Sequence, residues 1–211
     1  MTIRPGDPWG REVPRPQGLV TVDGDRALVE ALAGADRPPV AIESGDLARN
    51  LGVTSQSRSA TISSTVNEFA IDLLHVRLDE SGDSDEPIVA CAHVLAHCPW
   101  RRGLWFRGPI LAVMNAEFIG EWDVAPRGHP NDGRAEVFEV DASMSVRQRL
   151  SARRRLRTGT HVPHPCVSTR SVRAGTWNFA RALEVEVDGR SVGRASSLSI
   201  RVVPDAAIIH A

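Results

Sequence analysis

From about residue 58 to its end the chain is written in period two. ATISS, FAIDLLHVRL, PIVACAHVLAH, ILAVMN, AEVFEV, CVSTRSV, LEVEV, LSIRVV and AAIIH are short β-branched runs of alternating character, separated by turn residues. Alternation sends successive side chains to opposite faces of a strand, so one face of each run must find a core. Many such runs in succession predict an antiparallel β-sandwich of roughly 150 residues. One helix interrupts it, SVRQRLSARRRLR (145–157), with Val146, Leu150 and Leu156 on roughly one side.

The pattern before residue 58 is different. GLVTV (18–22) and PPVAI (38–42) read as strands, and DRALVEALAGA (25–35) places Leu28, Val29, Leu32 and Ala33 on one helical face. SGDLARNLG (44–52) reads as a short helix capped by Asp46 and ended by Gly52. Residues 18–57 are therefore a β-α-β-α segment, one crossover unit too small to stand alone. Residues 1–17 carry Pro5, Pro8, Pro14 and Pro16 and form an extended arm, ordered only if it wraps something. The fold class is α+β, mostly β: an arm (1–17), a small β-α-β-α segment (18–57) and an antiparallel sandwich with one helical insertion (58–211). No internal repeat or long low-complexity tract stands out.

Composition removes some chemistries. All 25 basic residues are arginine, and there is no lysine or tyrosine. A Schiff-base lysine and a P-loop lysine are thereby excluded, and planar, bidentate arginine must do any cationic work. A net charge of −1 gives no global field toward nucleic acid. Three cysteines and no apolar leader point to a reducing, cytoplasmic setting, and no run approaches the roughly 20 apolar residues of a membrane span.

Several clusters are candidates for chemistry. In ACAHVLAHC, Cys91, His93 and His97 share parity and hence one strand face, which suggests zinc. Spacings of about 7 Å and more along a strand oppose a single tetrahedral ion, and partly buried histidines and thiols are the simpler reading. DESGDSDEP (79–87) lacks EF-hand spacing and reads as a solvated hairpin tip. PWRRGLWFRGP (99–109) interleaves Trp100, Trp105 and Phe106 with arginines, as base stacking, a membrane interface or ordinary cation–π packing would. Residues 145–181 hold nine arginines and no acid, so like charges crowd the helix without relief. An anionic partner fits there, with Arg153, Arg154 and Arg157 as forks for phosphate of a lipid or nucleotide, or for a peripheral contact with anionic membrane.

MNAEFIGEWDVAPRGHPNDGRAEV, then the helix, then GTHVPHPCVSTRSV, VEVDG and LSIRVVPDA, together resemble the C-terminal domain of the diacylglycerol kinase-like lipid kinases, within the NAD kinase/diacylglycerol kinase superfamily. The resemblance covers about residues 60–211. It implies a β-sandwich paired with a Rossmann-like nucleotide domain, an active site between them, and phosphorylation of a lipid hydroxyl with ATP and Mg²⁺. It implies a magnesium ion on the Asn-Asp-Gly turn, held by the Asp132 side chain and the backbone carbonyls of His129 and Arg134. It also places Ser44, Gly45 and Asp46 at the phosphate loop, where Leu47 stands in place of a glycine. The family's strand-end Asp-Gly-Glu, whose glutamate is the catalytic base, is here Asp188-Gly189-Arg190, and an arginine cannot accept a proton near neutral pH. The family's nucleotide domain is also much longer than residues 18–57. The sequence therefore leads to a degenerate, non-catalytic lipid-kinase-like protein that binds a phosphate-bearing lipid or nucleotide, with Asp188 the only remaining catalytic candidate. Two alternatives stand beside it: an active kinase completed by a second copy across a homo-oligomeric interface, and a scaffold that docks an acidic partner through its arginine-rich helix.

Overall fold

The alternating runs pair into one hydrogen-bonded succession of strands. The computed structural model describes residues 8–34, 37–53, 63–79 and 86–211. In chain order the first half comprises β1 (Arg11–Pro14), β2 (Val20–Asp23), α1 (Asp25–Ala33), β3 (Val40–Ser44), α2 (Asp46–Asn50), β4 (Thr65–Leu78), β5 (Ile88–Ala90) and β6 (His93–His97). The second half comprises β7 (Ile110–Met114), β8 (Phe118–Ile119), β9 (Trp122–Asp123), β10 (Ala135–Val140), α3 (Val146–Leu156), β11 (Val167–Val172), β12 (Ala174–Val187) and β13 (Arg190–His210). Antiparallel neighbours run β1-β4-β13-β12-β6-β7-β10-β11, and β5 pairs with β4.

The mostly-β reading holds, and the two expected layers are one sheet curled on itself. Leu74 and Val76 of β4 and Ile200 of β13 share a core with Val94 of β6, Val113 of β7 and Val137 of β10. Burial of each such side chain stabilises by about 1.5–3 kcal/mol, and Leu74→Ala would cost about 2–5 kcal/mol. The long strands make the curl: β12 shifts register between Asn178 and Leu183, and β13 between Val203 and Ala207. Such irregularities bend a strand and increase its twist. LSIRVV and AAIIH, read as two strands, are therefore one strand with a bulge. Pro204 has no N–H to donate there, and Asp205 sits at φ 50°.

The opposite faces of β6, β7 and β10 are buried too. Leu95, Met114 and Phe138 pack under Val124 and Ala125, with Trp122 and Leu156 against them. The β-α-β-α segment sits on its own chain's sheet: β2 and β3 are parallel, and β3 meets the end of β13 through Ala41 opposite His210. Leu28, Val40, Ile42 and Leu47 share a core with Phe69, Ile71 and Ile209.

Several local expectations change. PIVACAHVLAH breaks into β5 and β6 at Cys91-Ala92, so Cys91 does not share a strand face with His93 and His97. The cause is Asp188, which draws the backbone N–H groups at the break to itself. The cap of α2 is not Asp46 but Asp25, contributed from α1. On α3, Ser145 and Gln148 form a capping box as a helix start requires. Its buried residue is Arg149, while Val146 and Leu150 are exposed. From residue 9 the arm lies on the sheet: β1 pairs with β4, and the Trp9 indole N–H donates to the Ala70 carbonyl at 3.1 Å. Residues 1–7, the 60–62 part of ATISS and the 80–85 part of the acidic loop lie outside the described residues. Among the described residues no helix is long and apolar enough to cross a membrane.

Candidate functional site

Two strand-to-helix junctions build the site, and both turn on a Gly-Asp pair. Val22-Asp23-Gly24-Asp25 joins β2 to α1, and Glu43-Ser44-Gly45-Asp46 joins β3 to α2. Gly24 and Gly45 have φ of 97° and 108°, open to glycine and strained for other residues. The Asp25 carboxylate crosses from the first junction to the second, accepting the N–H of Asp46 at 2.7 Å and of Leu47 at 3.0 Å. A Cβ on Gly45 would lie 2.5 Å from Asp25 Oδ1, so glycine is needed there for the approach of this carboxylate. The Ser44 hydroxyl donates to Asp23. Of the backbone donors expected to cradle phosphate at Ser44, Gly45 and Asp46, that of Asp46 thus faces a side chain of the same protein.

Asp188 closes the other side. It sits at φ 45° after β12 and takes three backbone N–H groups: Cys91 on Oδ2, and Ala92 and His93 on Oδ1, each at 2.9 Å. Its own N–H donates to the His93 carbonyl at 3.0 Å. Arg190, which follows Asp188-Gly189, is exposed at the start of β13. Asp46 completes the ring, accepting the Gly120 N–H at 2.6 Å on Oδ1. Its Oδ2 lies 3.4 Å from Nδ1 of His93. His93 is 3% exposed, and neither ring nitrogen makes a hydrogen bond.

The electrostatics follow from this crowding. Burial pushes the Asp25 carboxyl up to about 7 from its ordinary 3.8; the two backbone N–H groups oppose the rise, and Asp188 and Asp46 add to it. Burial also raises Asp46, against the pull of His93 and the Gly120 N–H. The Cys91 thiol is raised by burial, then by Asp188 and Asp25, so it is no nucleophile. His97 is engaged elsewhere, with Nε2 3.0 Å from Glu186 and its ring stacked on Trp105. Among the described residues no three His, Cys, Asp or Glu side chains are arranged to hold a metal, so the zinc reading of Cys91, His93 and His97 finds no support.

The Asn-Asp-Gly turn is joined to this ring by buried Asn115, whose amide donates to the Asp72 carbonyl at 2.9 Å and to the Cys91 carbonyl at 2.7 Å. The hub of the turn is Asp72 of β4, fully buried, which accepts the Gly133 N–H at 2.6 Å and the Asp205 N–H at 2.9 Å. The Asn131 amide donates to Asp205 at 3.1 Å, and its buried Oδ1 has no partner. Asp132 is partly exposed, and one of its oxygens accepts the Arg134 N–H at 2.9 Å. Burial raises its carboxyl, the Arg134 N–H opposes this, and Asp72 and Glu136 raise it further. The His129 ring packs against Trp9 with centroids 4.4 Å apart.

The β8–β9 hairpin connects the ring to α3. Arg49 lies 3.8 Å over the Phe118 ring and donates to the Gly120 carbonyl. Arg157 pairs with Glu121 at 3.0 Å, and Arg153 stacks over Trp122 at 5.3 Å. Asp46 thus meets this hairpin at Gly120, and Arg157 and Arg153 meet it at Glu121 and Trp122. Sequence reasoning missed Asp25, Asp72 and Asp205. The only signal was the repeated Gly-Asp at 24–25 and 45–46, 21 residues apart.

No family model matches the sequence, and no curated protein matches it either. Solved structures do match its fold. Two from Bacillus anthracis str. Sterne, each provisionally assigned as a diacylglycerol kinase, superpose over 91% of this chain and 77% of theirs. Their TM-scores are 0.61 and 0.62, at 12% and 13% identity. A third from the same organism, described as a diacylglycerol kinase, matches over 91% of this chain and 75% of its own, with TM-score 0.60 and 14% identity. The chain has the fold of these diacylglycerol kinase-like structures.

Proposed function

We propose that this chain is a lipid-kinase-like protein that holds a phosphate-bearing ligand, lipid or nucleotide, and does not transfer phosphate. Fold alone does not decide chemistry. The observation that carries the reading is the state of Asp188. Its carboxylate is spent on three backbone N–H groups, and the residue after Gly189 is a permanent cation. A general base needs a lone pair aimed at the proton it takes, and the N–H groups of residues 91–93 hold both Asp188 oxygens toward the strand break. The phosphate cradle is likewise partly filled by Asp25, which disfavours naked nucleotide phosphate at Ser44, Gly45 and Asp46. Phosphate is better served by Arg153, Arg154 and Arg157, in forks suited to its oxygens. ATP would reach the ring only with a cation to screen the three aspartates.

A magnesium ion belongs to this reading at the Asn-Asp-Gly turn. The second Asp132 oxygen and the carbonyls of His129 and Arg134 make a hard donor set, and the neighbouring Asp72 and Glu136 leave the turn short of positive charge. When bound there, the ion would neutralise the turn and fix its shape. A second copy is not needed to seat the small unit, which is already packed on its own sheet through Leu28 and Leu47.

The test has two arms. A soluble short-chain phosphatidate, titrated calorimetrically, should bind, and Arg153→Gln with Arg154→Gln should weaken it by about tenfold or more. Wild-type protein with labelled ATP, Mg²⁺ and long-chain alcohols should leave the lipid unlabelled. Transfer that disappears in Asp188→Ala would overturn the reading.

A further inference from the structure

Six large apolar side chains are exposed among the described residues, and four fall on two segments: Trp100 (80%) and Phe106 (39%) after β6, and Val146 (42%) and Leu150 (44%) on α3. Arg149 ties these segments into one surface. Its guanidinium is buried and meets no carboxylate, donating instead to the carbonyls of Met144 at 3.0 Å, Trp105 at 3.1 Å, Asp141 at 3.1 Å and Gly108. A buried cation satisfied by four carbonyls from two segments fixes them against each other. At roughly 100° per residue, with Arg149 pointing inward, Val146, Leu150, Arg147, Arg153 and Arg154 fall on one shoulder of α3. Arg101 and Arg107 are exposed on the other segment. Residues 99–116 and 142–183 contain no Asp or Glu, although Glu121 comes from the hairpin to pair with Arg157.

We propose that α3 and the 100–107 segment form a peripheral docking surface for an anionic phospholipid bilayer. Exposed apolar side chains ringed by arginine suit the boundary between acyl chains and head groups. The apolar groups enter, the long arginines reach up to phosphate, and tryptophan favours that level. Charge complementarity selects an anionic surface: the chain as a whole is near neutral at −1, while on this face arginine outnumbers acid, Glu121 being the carboxylate that reaches it, on Arg157. A single-stranded nucleic acid would need successive stacking platforms, and only Trp100 stands fully out. The inference concerns where the protein sits and does not rest on the fate of phosphotransfer.

The experiment is flotation of the full chain with phosphatidylcholine vesicles, with and without about one-third phosphatidylglycerol. Binding is expected to the anionic vesicles only, and to fall as salt rises. Removing Arg147, Arg153 and Arg154 together (each to Gln) should weaken it by roughly a hundredfold, about fivefold per charge. Leu150→Gln and Trp100→Ser should each lower it at least several-fold with the melting temperature unchanged, since both side chains are exposed. Equal binding to neutral vesicles, no binding to either, or anionic binding indifferent to Leu150→Gln and Trp100→Ser would overturn the proposal. The last would point to a general polyanion surface. Binding of short-chain phosphatidate without vesicle binding would spare the functional reading above and remove this one.

Discussion

At the Asn-Asp-Gly turn one buried carboxylate, Asp72, collects donors from two distant segments, and Asp132 beside it keeps an oxygen free of protein donors. At the seam between the small unit and the sheet, Asp25, Asp46 and Asp188 all take backbone N–H groups, and the ring of buried His93 is left without a hydrogen bond. Both regions are acidic and lie close to sequence motifs, yet the motif residues have opposite fates. Asp132 remains available to a ligand, while Asp188 is spent as Asp72 is, on holding backbone. Position in a motif does not tell whether a carboxylate is in reserve; its donors do.

Substitutions can break this comparison. Asp72→Ala should have the largest effect, about 4 kcal/mol in denaturant unfolding, because it strands the Gly133 and Asp205 N–H groups in a buried site. A loss below about 1 kcal/mol would mean that the turn holds itself. Next is the pH dependence of the seam. Asp25 is raised, so its folded form keeps a proton that the unfolded form has lost between about pH 4 and 7. Its contribution is full below about pH 4, declines as pH rises and is gone above about pH 7. A rise from 3.8 to about 7 corresponds to on the order of 4 kcal/mol at most. Asp25→Asn, measured against wild type across that range, should be relatively stabilised as pH rises; parallel curves would contradict the burial of this carboxylate.

Asp188→Ala should cost about 3 kcal/mol through its three lost acceptor contacts. A residue poised for catalysis instead often costs nothing, or stabilises, when removed. A gain in stability would therefore place Asp188 with Asp132 and reverse the comparison. The smallest effect belongs to Asp132→Ala, under about 1 kcal/mol without metal. Millimolar Mg²⁺ should raise the melting temperature of the wild type by a few degrees and leave Asp132→Ala unmoved.

The sheet was legible because period two survives in strands buried on one face, and α3 because Val146, Leu150 and Leu156 recur on roughly one side of a helix. The break at Cys91-Ala92 was not, because its cause, Asp188, lies almost a hundred residues away. Nor was the continuity of β13, where Pro204 reads as a stop and acts as a bulge. On α3 the apolar residues suggested the buried face, but Arg149 found four carbonyls and took that place. The site was half legible: the Asn-Asp-Gly and Asp-Gly turns mark positions, but the partners that decide their chemistry, Asp72 and the N–H groups of residues 91–93, carry no local signal.

Whether Asp188 serves as cap or as base is most directly tested by label transfer from ATP to a lipid alcohol, using the purified wild-type chain with Mg²⁺. A cap predicts no labelled lipid above the protein-free control at any pH from 5 to 9, roughly the range where a carboxylate base would be ionised. Labelled lipid that forms in proportion to the protein added, and is lost in Asp188→Ala, would contradict it.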